Sequence, residues 1–479
     1  MSVLRTQHVV IAGAGGIGCP ATWALRLSGV GRITVLDPDV VEPSNLPRQV
    51  LFDEHDLGHP KAERVWRRFG RGDVDHVGHH APLDHTNADA ILADADLVID
   101  ATDGAHAKDW INQLAVRRAI PLVHAAGLRA EARMLDVPAG GQPCLACLFG
   151  RLTEETGSCA DLGVWNGVVG VVGFLAAQEA TRMLLEPKRA PTGYRVLDFE
   201  SGRATTLRAA ADGACPVCAT EAALEPYPEP FGCDVPDASG ASREPTGPAL
   251  DLRDEACPMN LLRARRALAD LPAGAVLAIR LGEEGAATVP DGVRALGHKV
   301  LVETPAGSGL DLHVEVVGAA KDDPAFDGAD LHRYARQIVL PEVGERGQRR
   351  LMDARVCFAG DVDGLYGPAL ESAMRYTQAA GVGTIVDEPE DATHVAWAGG
   401  GEVPKLPEGA IVLQRDGEDS DRVRAGFDIE RAITWEQRYV DFPVALAWGA
   451  LLADLVQRAI VLDEPPEQSF AITFEGDVA

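Results

Sequence analysis

Basic residues are in short supply. Lys and Arg number 44 against 72 Asp and Glu in 479 residues, a formal net charge of −28. Bulk charge of that sign excludes wrapping nucleic acid or lying on an anionic membrane, and leaves room only for a local basic pocket. The most apolar stretch, Gly163 to Ala177, contains Asn166 and ends at Gln178-Glu179. It is expected to be a buried helix, too short to span a bilayer. No secretory leader is expected either: Met1-Ser2-Val3-Leu4-Arg5 runs into an apolar strand and a glycine-rich turn without a small-residue cleavage site. The expected compartment is the cytoplasm. Hydrophobic residues at 46% and charged residues at 24% exclude disorder as the main state. At about 150 residues per domain, the length suggests roughly three domains.

Residues 1–222 alternate strand-like runs (His8 to Ile11, Ile33 to Leu36, Leu97 to Ile99, Leu122-Val123) with helical stretches. That alternation predicts an α/β, Rossmann-like domain with a mostly parallel sheet. Residues 223–248, rich in Pro, Gly, Ser and Ala, read as a linker. Residues 249–318 predict a small α+β unit: strands at Leu250 to Leu252, Val276 to Leu281, Val300 to Val302 and Leu312 to Val316, and a helix from Pro258 to Leu271. A second joint covers 319–328. Residues 329–479 then repeat the first domain faintly, as a degenerate second Rossmann-like domain. Val9-Val10-Ile11-Ala12-Gly13 matches Val356-Cys357-Phe358-Ala359-Gly360, and Gly29 to Ile33 matches Gly381 to Ile385.

Gly13-Ala14-Gly15-Gly16-Ile17-Gly18 follows a strand and opens a helix, where glycines let a phosphate approach free N–H groups. Asp37 ends the next strand, placed for ribose hydroxyls. These features alone suit a nicotinamide dehydrogenase. The string Asp37-Pro38-Asp39 to Asn45-Leu46-Pro47-Arg48-Gln49, with Lys61, argues otherwise. Two cations and an amide suit a triphosphate that loses pyrophosphate, where charge builds on the leaving group. Ala101-Thr102-Asp103, after the strand at Leu97, adds a carboxylate suited to magnesium.

This ordered set resembles the ThiF/MoeB/HesA family, bacterial relatives of ubiquitin-activating enzymes, over residues 8 to about 220. Members adenylate the C-terminal Gly-Gly carboxylate of a small ubiquitin-like protein. The resemblance implies that Gly13, Gly15, Gly16 and Gly18 shape the ATP loop. It implies that Asp37 binds ribose, with Asp39 and Gln49 beside it. Asn45, Arg48 and Lys61 would contact phosphates, and Asp103 would be the magnesium-linked catalytic carboxylate. One departure is Gly104, where the family usually has Asn.

Cys144-Leu145-Ala146-Cys147 and Cys215-Pro216-Val217-Cys218 pair two Cys-x-x-Cys motifs, a spacing that suits a closed tetrahedral zinc site. The family carries a structural zinc at these places. Cys159 lies where family members have a cysteine in a crossover loop near the adenylate. Some use it covalently and others do not, so both roles stay open.

Cys257-Pro258-Met259-Asn260 puts a cysteine at a helix start, which favours thiolate or persulfide. The unit around it resembles the TusA family of sulfur carriers, with Asn260 in place of that motif's last Pro. The family's Arg-Tyr-x-Arg-Gln helix, expected before the first strand, stands instead before the second copy, as Arg333-Tyr334-Ala335-Arg336-Gln337. The resemblance implies that Arg336 reaches an ATP site. The second copy's own turn, Gly360-Asp361-Val362-Asp363, carries acids that would repel phosphate.

The expected function is ATP-dependent adenylation of a ubiquitin-like sulfur carrier ending in Gly-Gly, then sulfur transfer to give a thiocarboxylate. Magnesium and zinc are the expected metals. A cysteine desulfurase or another persulfide donor is the expected sulfur source, and the assembly an internal pseudo-dimer or a homodimer. Adenylation of another carboxylate without sulfur transfer, and a non-catalytic scaffold for a ubiquitin-like protein, are the alternatives.

Overall fold

Continuous apolar runs become strands covered on both faces, because such runs have no side to turn toward water. His8–Ala12 (β1) is buried at every position. The computed structural model describes residues 3–69, 74–152, 163–189, 191–201, 203–208, 210–220, 249–255, 259–317, 326, 328–340, 342–360, 366–399, 411–415, 422–426, 433–436 and 442–462. The chain divides into two compact units. One comprises Met1–Glu154, Val164–Tyr227 and Arg350–Ala479; the other comprises Glu155–Gly163 and Pro228–Arg349.

In the first unit, β1 is joined by Arg32–Leu36 (β2), Asp75–His79 (β3), Leu97–Asp100 (β4), Leu122–Leu128 (β5), Glu131–Val137 (β6), Tyr194–Asp198 (β7) and Arg203–Leu207 (β8). The order is β3-β2-β1-β4-β5-β6-β7-β8. Pairing is parallel from β3 to β5 and antiparallel from β5 to β8. The strand order reverses between β1 and β4, which makes the carboxyl ends of those strands the natural ligand crevice. Helices Gly18–Leu27 (α1), Ala105–Arg118 (α2) and Asn166–Leu185 (α3) are the long ones on this sheet.

Helix α3 runs further than its sequence suggests. Gln178-Glu179 does not end it, because buried Glu179 is paired with Arg182 and with Arg195, the latter at 3.1 Å. By length and apolarity α3 would suit a bilayer, yet 72% of its apolar window is buried inside the protein. It is a core helix.

The second unit has the order β11-β12-β10-β9, from Ala249–Leu252 (β9), Val276–Leu281 (β10), Lys299–Ala306 (β11) and Gly309–Glu315 (β12). Helices Met259–Ala269 (α4) and Glu283–Ala295 (α5) belong to it. Sequence reading left α5 out, because its Gly285, Pro290 and Gly292 argue against a helix. The arginine helix Gly328–Ile338 (α6) and the start of Gly344–Asp353 (α7) group with this unit. Arg265 Nη1 donates to the Ile338 carbonyl at 3.1 Å, and Arg266 forks onto Glu345 at 2.7 and 2.9 Å.

The remaining sheet repeats the first. Arg355–Gly360 (β13), Thr384–Val386 (β14), His394–Gly399 (β15), Ile411–Arg415 (β16), Arg422–Gly426 (β17) and Ile433–Glu436 (β18) take the order β14-β13-β15-β16-β17-β18. Helices Tyr366–Ala379 (α8) and Phe442–Leu462 (α9) correspond to α1 and α3. The special glycines recur as well. A Cβ on Gly13 would lie 2.7 Å from the Ala101 oxygen, and one on Gly360 would lie 1.8 Å from the Ala398 oxygen. The copies pack by exchanging partners: α3 meets α8 and α9, and α9 meets α3 and α1.

Candidate active site

The site begins at the carboxyl end of β1. Gly13 has φ +100°, and a Cβ on Gly18 would sit 1.8 Å from the Gly13 oxygen. Both positions require glycine, since a side chain would drive the turn off β1 and β4. No side chain caps α1 among the described residues; the Cys19 N–H donates to the Gly15 carbonyl at 3.0 Å and Pro20 carries no N–H, so it is chiefly the backbone of the glycine turn that a phosphate would meet. The Asn45–Gln49 string lies against this turn. A Cβ on Gly16 would be 3.5 Å from Arg48 Cγ, and one on Gly15 3.9 Å from Gln49 Nε2.

Asp37, at the end of β2, is buried. Its carboxylate accepts the Ala14 N–H at 2.6 Å and the Asp39 N–H at 2.8 Å, tying the end of β2 to the glycine turn. Burial pushes its pKa up, and nearby Lys61 pulls against that. Lys61 is itself buried and donates from Nζ to Asp39 Oδ2 at 2.7 Å. A buried ammonium needs an opposite charge, and Asp39, largely exposed, can yield that place to a phosphate. Asn45 accepts the Glu42 N–H at 3.1 Å and so stiffens the short turn Pro43–Asn45. Arg48 Nη1 donates to the Ser44 carbonyl at 2.6 Å. Gln49 is buried, with an Oε1 that has no hydrogen bond among the described residues.

The carboxyl end of β4 supplies the acid. Asp100, fully buried, accepts His124 Nδ1 at 2.7 Å, Thr102 Oγ1 at 2.7 Å and the Thr102 N–H at 3.1 Å. Burial would raise its pKa, but Lys108, His124 and Thr102 outweigh burial and hold the carboxyl well below the usual range. Lys108 in turn donates to the Thr102 carbonyl. The turn is thus fixed from below, and Asp103 stands exposed with no hydrogen bond or ion pair among the described residues. A Cβ at Gly104 would meet nothing within 4 Å, so glycine there is not a steric demand. Sequence reasoning missed the Asp100–His124 pair. Its signal was a polar residue closing each of two otherwise apolar runs.

The four paired cysteines converge. Their sulfurs all lie within 4.8 Å of one another: Cys144 to Cys147 3.9 Å, Cys144 to Cys215 3.6 Å, Cys147 to Cys218 3.3 Å. Four sulfurs about 2.3 Å from one tetrahedral ion would be roughly 3.8 Å apart, so the cluster could hold a metal. Burial pushes the Cys144 thiol up to about 11. Burial acts the same way at Cys215 but is outweighed by the N–H groups of Cys218 and Val217, which lower it.

The other expected sulfur residues, Cys159 and Cys257, lie outside the described residues, as does the Asp361 to Asp363 turn. Arg336 is half-buried on α6, in the second unit, and its Nε has no hydrogen bond among the described residues. Cys19 is packing: its thiol, pushed up by burial, donates to the Ala14 carbonyl at 3.3 Å.

Register shows what the second copy has lost. Arg355 pairs with Thr384 as His8 pairs with Arg32, and Gly360 pairs with Ala398. Counting along those strands, Asp37 corresponds to Pro389 and Asp100 to Trp397.

Residues 1–217 match the ThiF family, and residues 249–316 match the family described as sulfurtransferase TusA. The "SAMP-activating enzyme E1" of Haloferax volcanii is 37% identical over 222 residues, which cover 45% of this chain and 81% of that protein. The chain belongs to the ThiF family. The "molybdopterin-synthase adenylyltransferase" of Escherichia coli is 32% identical over 224 residues, 45% of this chain and 88% of that enzyme. The "adenylyltransferase and sulfurtransferase MOCS3" of Aedes aegypti is 35% identical over 206 residues, 42% of this chain. The match spans 47% of that longer relative.

Proposed function

We propose that this ThiF-family chain is an adenylyltransferase that activates the C-terminal carboxylate of a ubiquitin-like sulfur carrier with ATP and then serves its conversion to a thiocarboxylate. One observation carries the reading. Asp37 and Arg48 lie against the Gly13 to Gly18 turn at the end of β1, Lys61 reaches Asp39 just beyond Asp37, and Asp103, exposed and without a partner among the described residues, follows β4. The activities for which the relatives are named and the TusA match of residues 249–316 support it.

A carboxylate is a poor electrophile, and AMP is a good leaving group. A carrier carboxylate oxygen attacks the α-phosphorus of ATP, the bond to the β-phosphate breaks, and pyrophosphate leaves. The glycine turn and the α1 N-terminus receive phosphate oxygens, Asp37 the ribose, and Lys61 and Arg48 the charge that grows on pyrophosphate. Asp103 fits a magnesium ion, because its carboxylate is exposed and has no partner among the described residues. That ion would neutralise phosphate charge. The four cysteines fit zinc in number, type and spacing, and zinc there would tie the stretch beyond β8 back to the one beyond β6. Arg336 is assigned to the phosphates of an ATP site, in its own chain or a second one.

Sulfur enters at Cys257. The outer sulfur of its persulfide attacks the acyl carbon and AMP leaves. A second thiol, Cys159 or an external one, then attacks the Cys257 sulfur, forming a disulfide with it as the sulfur–sulfur bond breaks and the thiocarboxylate leaves. A cysteine desulfurase is the proposed persulfide source, and the cytoplasm the proposed compartment. The test is mass spectrometry of a Gly-Gly-ended carrier incubated with the full chain, ATP, magnesium, a desulfurase and cysteine. One oxygen is expected to be replaced by sulfur with wild type, and only acyl-adenylate to form with Cys257→Ala. Equal thiocarboxylate from both proteins would remove Cys257 from the account.

A further inference from the structure

We infer that the C-terminal copy is a positioning half of the nucleotide site: through Asn166 it holds the Asn45–Gln49 string against the glycine-rich turn. The inference rests on the ATP reading for its function but not for its geometry.

Asn166 opens α3 and is 1% exposed. Its Nδ2 donates to the Pro47 carbonyl at 2.8 Å and to the Tyr376 carbonyl, on α8, at 2.8 Å. A side-chain amide has two N–H bonds, and one goes to each copy. Pro47 lies between Asn45 and Arg48, so the bond falls on the backbone of the phosphate-contacting string itself.

Helix α3 is trimmed along one stripe that faces both partners. Toward the glycine turn, a Cβ on Gly173 would lie 2.4 Å from the Ile17 oxygen, and one on Gly16 would lie 3.0 Å from Val169 Cγ2. Toward the second copy, a Cβ on Gly167 would lie 2.6 Å from Asp454 Cβ, and one on Gly170 would lie 2.5 Å from Tyr376 Cζ. Glycine is costly inside a helix, and Gly167, Gly170 and Gly173, three residues apart, form one stripe of α3 along which the second copy and the glycine turn both come close. The start of the rod is clamped too. Arg458 lies 4.5 Å over the Trp165 ring and donates to Asp454 Oδ2 at 2.7 Å. A copy that lacks the ribose acid and the buried acid of the first has thus kept the surface that braces the working site. Asn166 is a positioning residue: it touches the string, not the nucleotide.

The test uses the full chain. Asn166→Ala removes both bonds, and Gly170→Ala drives a methyl into the Tyr376 ring. Pairing Gly170→Ala with Tyr376→Leu removes the ring atoms that the methyl meets. Amide hydrogen exchange over residues 43–52 is expected to quicken about tenfold or more in each single variant, the scale of one lost buried hydrogen bond, while β1 stays protected. ATP, titrated by calorimetry, is expected to bind about tenfold more weakly to each. The double variant is expected to recover to within about threefold. Unchanged exchange over 43–52 in both single variants overturns the coupling, even if thermal stability falls. Faster exchange without a change in ATP affinity overturns its role in nucleotide binding. A wild type that binds no ATP sinks the underlying ATP reading instead, and the exchange data judge the coupling on their own.

Discussion

Asp100→Asn tests the buried support beneath Asp103. Asparagine keeps an oxygen for the Thr102 N–H and hydroxyl, but it turns the Oδ2 position, 2.7 Å from His124 Nδ1, into a donor. Hydrogen bonds to a charged group contribute about 1.5–3 kcal/mol each and neutral ones about 0.5–1.5. Losing the charge while keeping the shape should therefore cost about 2 kcal/mol. Asp100→Ala, which leaves the partners without their acceptor, should cost about 4 kcal/mol. For a domain this size, 2 kcal/mol lowers Tm by roughly 4–8 °C. The pH dependence has a definite sign. The folded-state pKa of Asp100 is depressed, so its contribution is full above the unfolded value of about 3.9 and fades as pH falls below it. Urea unfolding of wild type and Asp100→Asn should show the full gap at neutral pH and a narrowing gap below about pH 4. A variant as stable as wild type at neutral pH, or a gap that stays constant to about pH 3, would refute the ion-pair reasoning.

Three further outcomes follow from the geometry. Purified protein should carry about one zinc per chain, and Cys144→Ser or Cys218→Ser should lose it and lower the thermal stability of the first unit; metal analysis beside calorimetry checks both. Gly18→Ala places a methyl 1.8 Å from the Gly13 oxygen, so it should abolish detectable ATP binding and cost about 1–3 kcal/mol of stability. Glu179→Gln leaves Arg195 on β7 facing a neutral partner, while Arg182 keeps Asp136 at 3.1 Å, and should destabilise by roughly 2–3 kcal/mol in denaturant titration.

Much of this was legible in the sequence because it rests on local rules. The glycine turn announces itself since only glycine fits beside Ala101 and Gly13. The cysteine pairs do so because a four-sulfur site needs two short-range pairs. The internal copy was readable from Gly360 and Gly383, which meet backbone oxygens as Gly13 and Gly31 do. What was not legible depends on contacts between distant segments. Asp100 and His124 look like the polar ends of two strands until β4 and β5 pair in parallel. Glu179 looked like the end of a helix because its arginines lie at 182 and 195. The antiparallel strands β6 to β8 were missed because their alternation is weak and their register is set by neighbours. Asn166 looked like a blemish in an apolar helix, and only the packing of the second copy shows both ends of its link.

The central claim is adenylation at the β1–β4 crevice, and pyrophosphate exchange measures it directly. Labelled pyrophosphate should enter ATP only when the full chain, magnesium and a Gly-Gly-ended carrier are all present. Asp103→Asn, whose side chain has no partner to lose among the described residues, should keep the wild-type Tm and lower that exchange by at least about a hundredfold. Exchange at the wild-type rate in a correctly folded Asp103→Asn protein, or exchange that ignores a carrier with its terminal carboxylate blocked, would contradict the account.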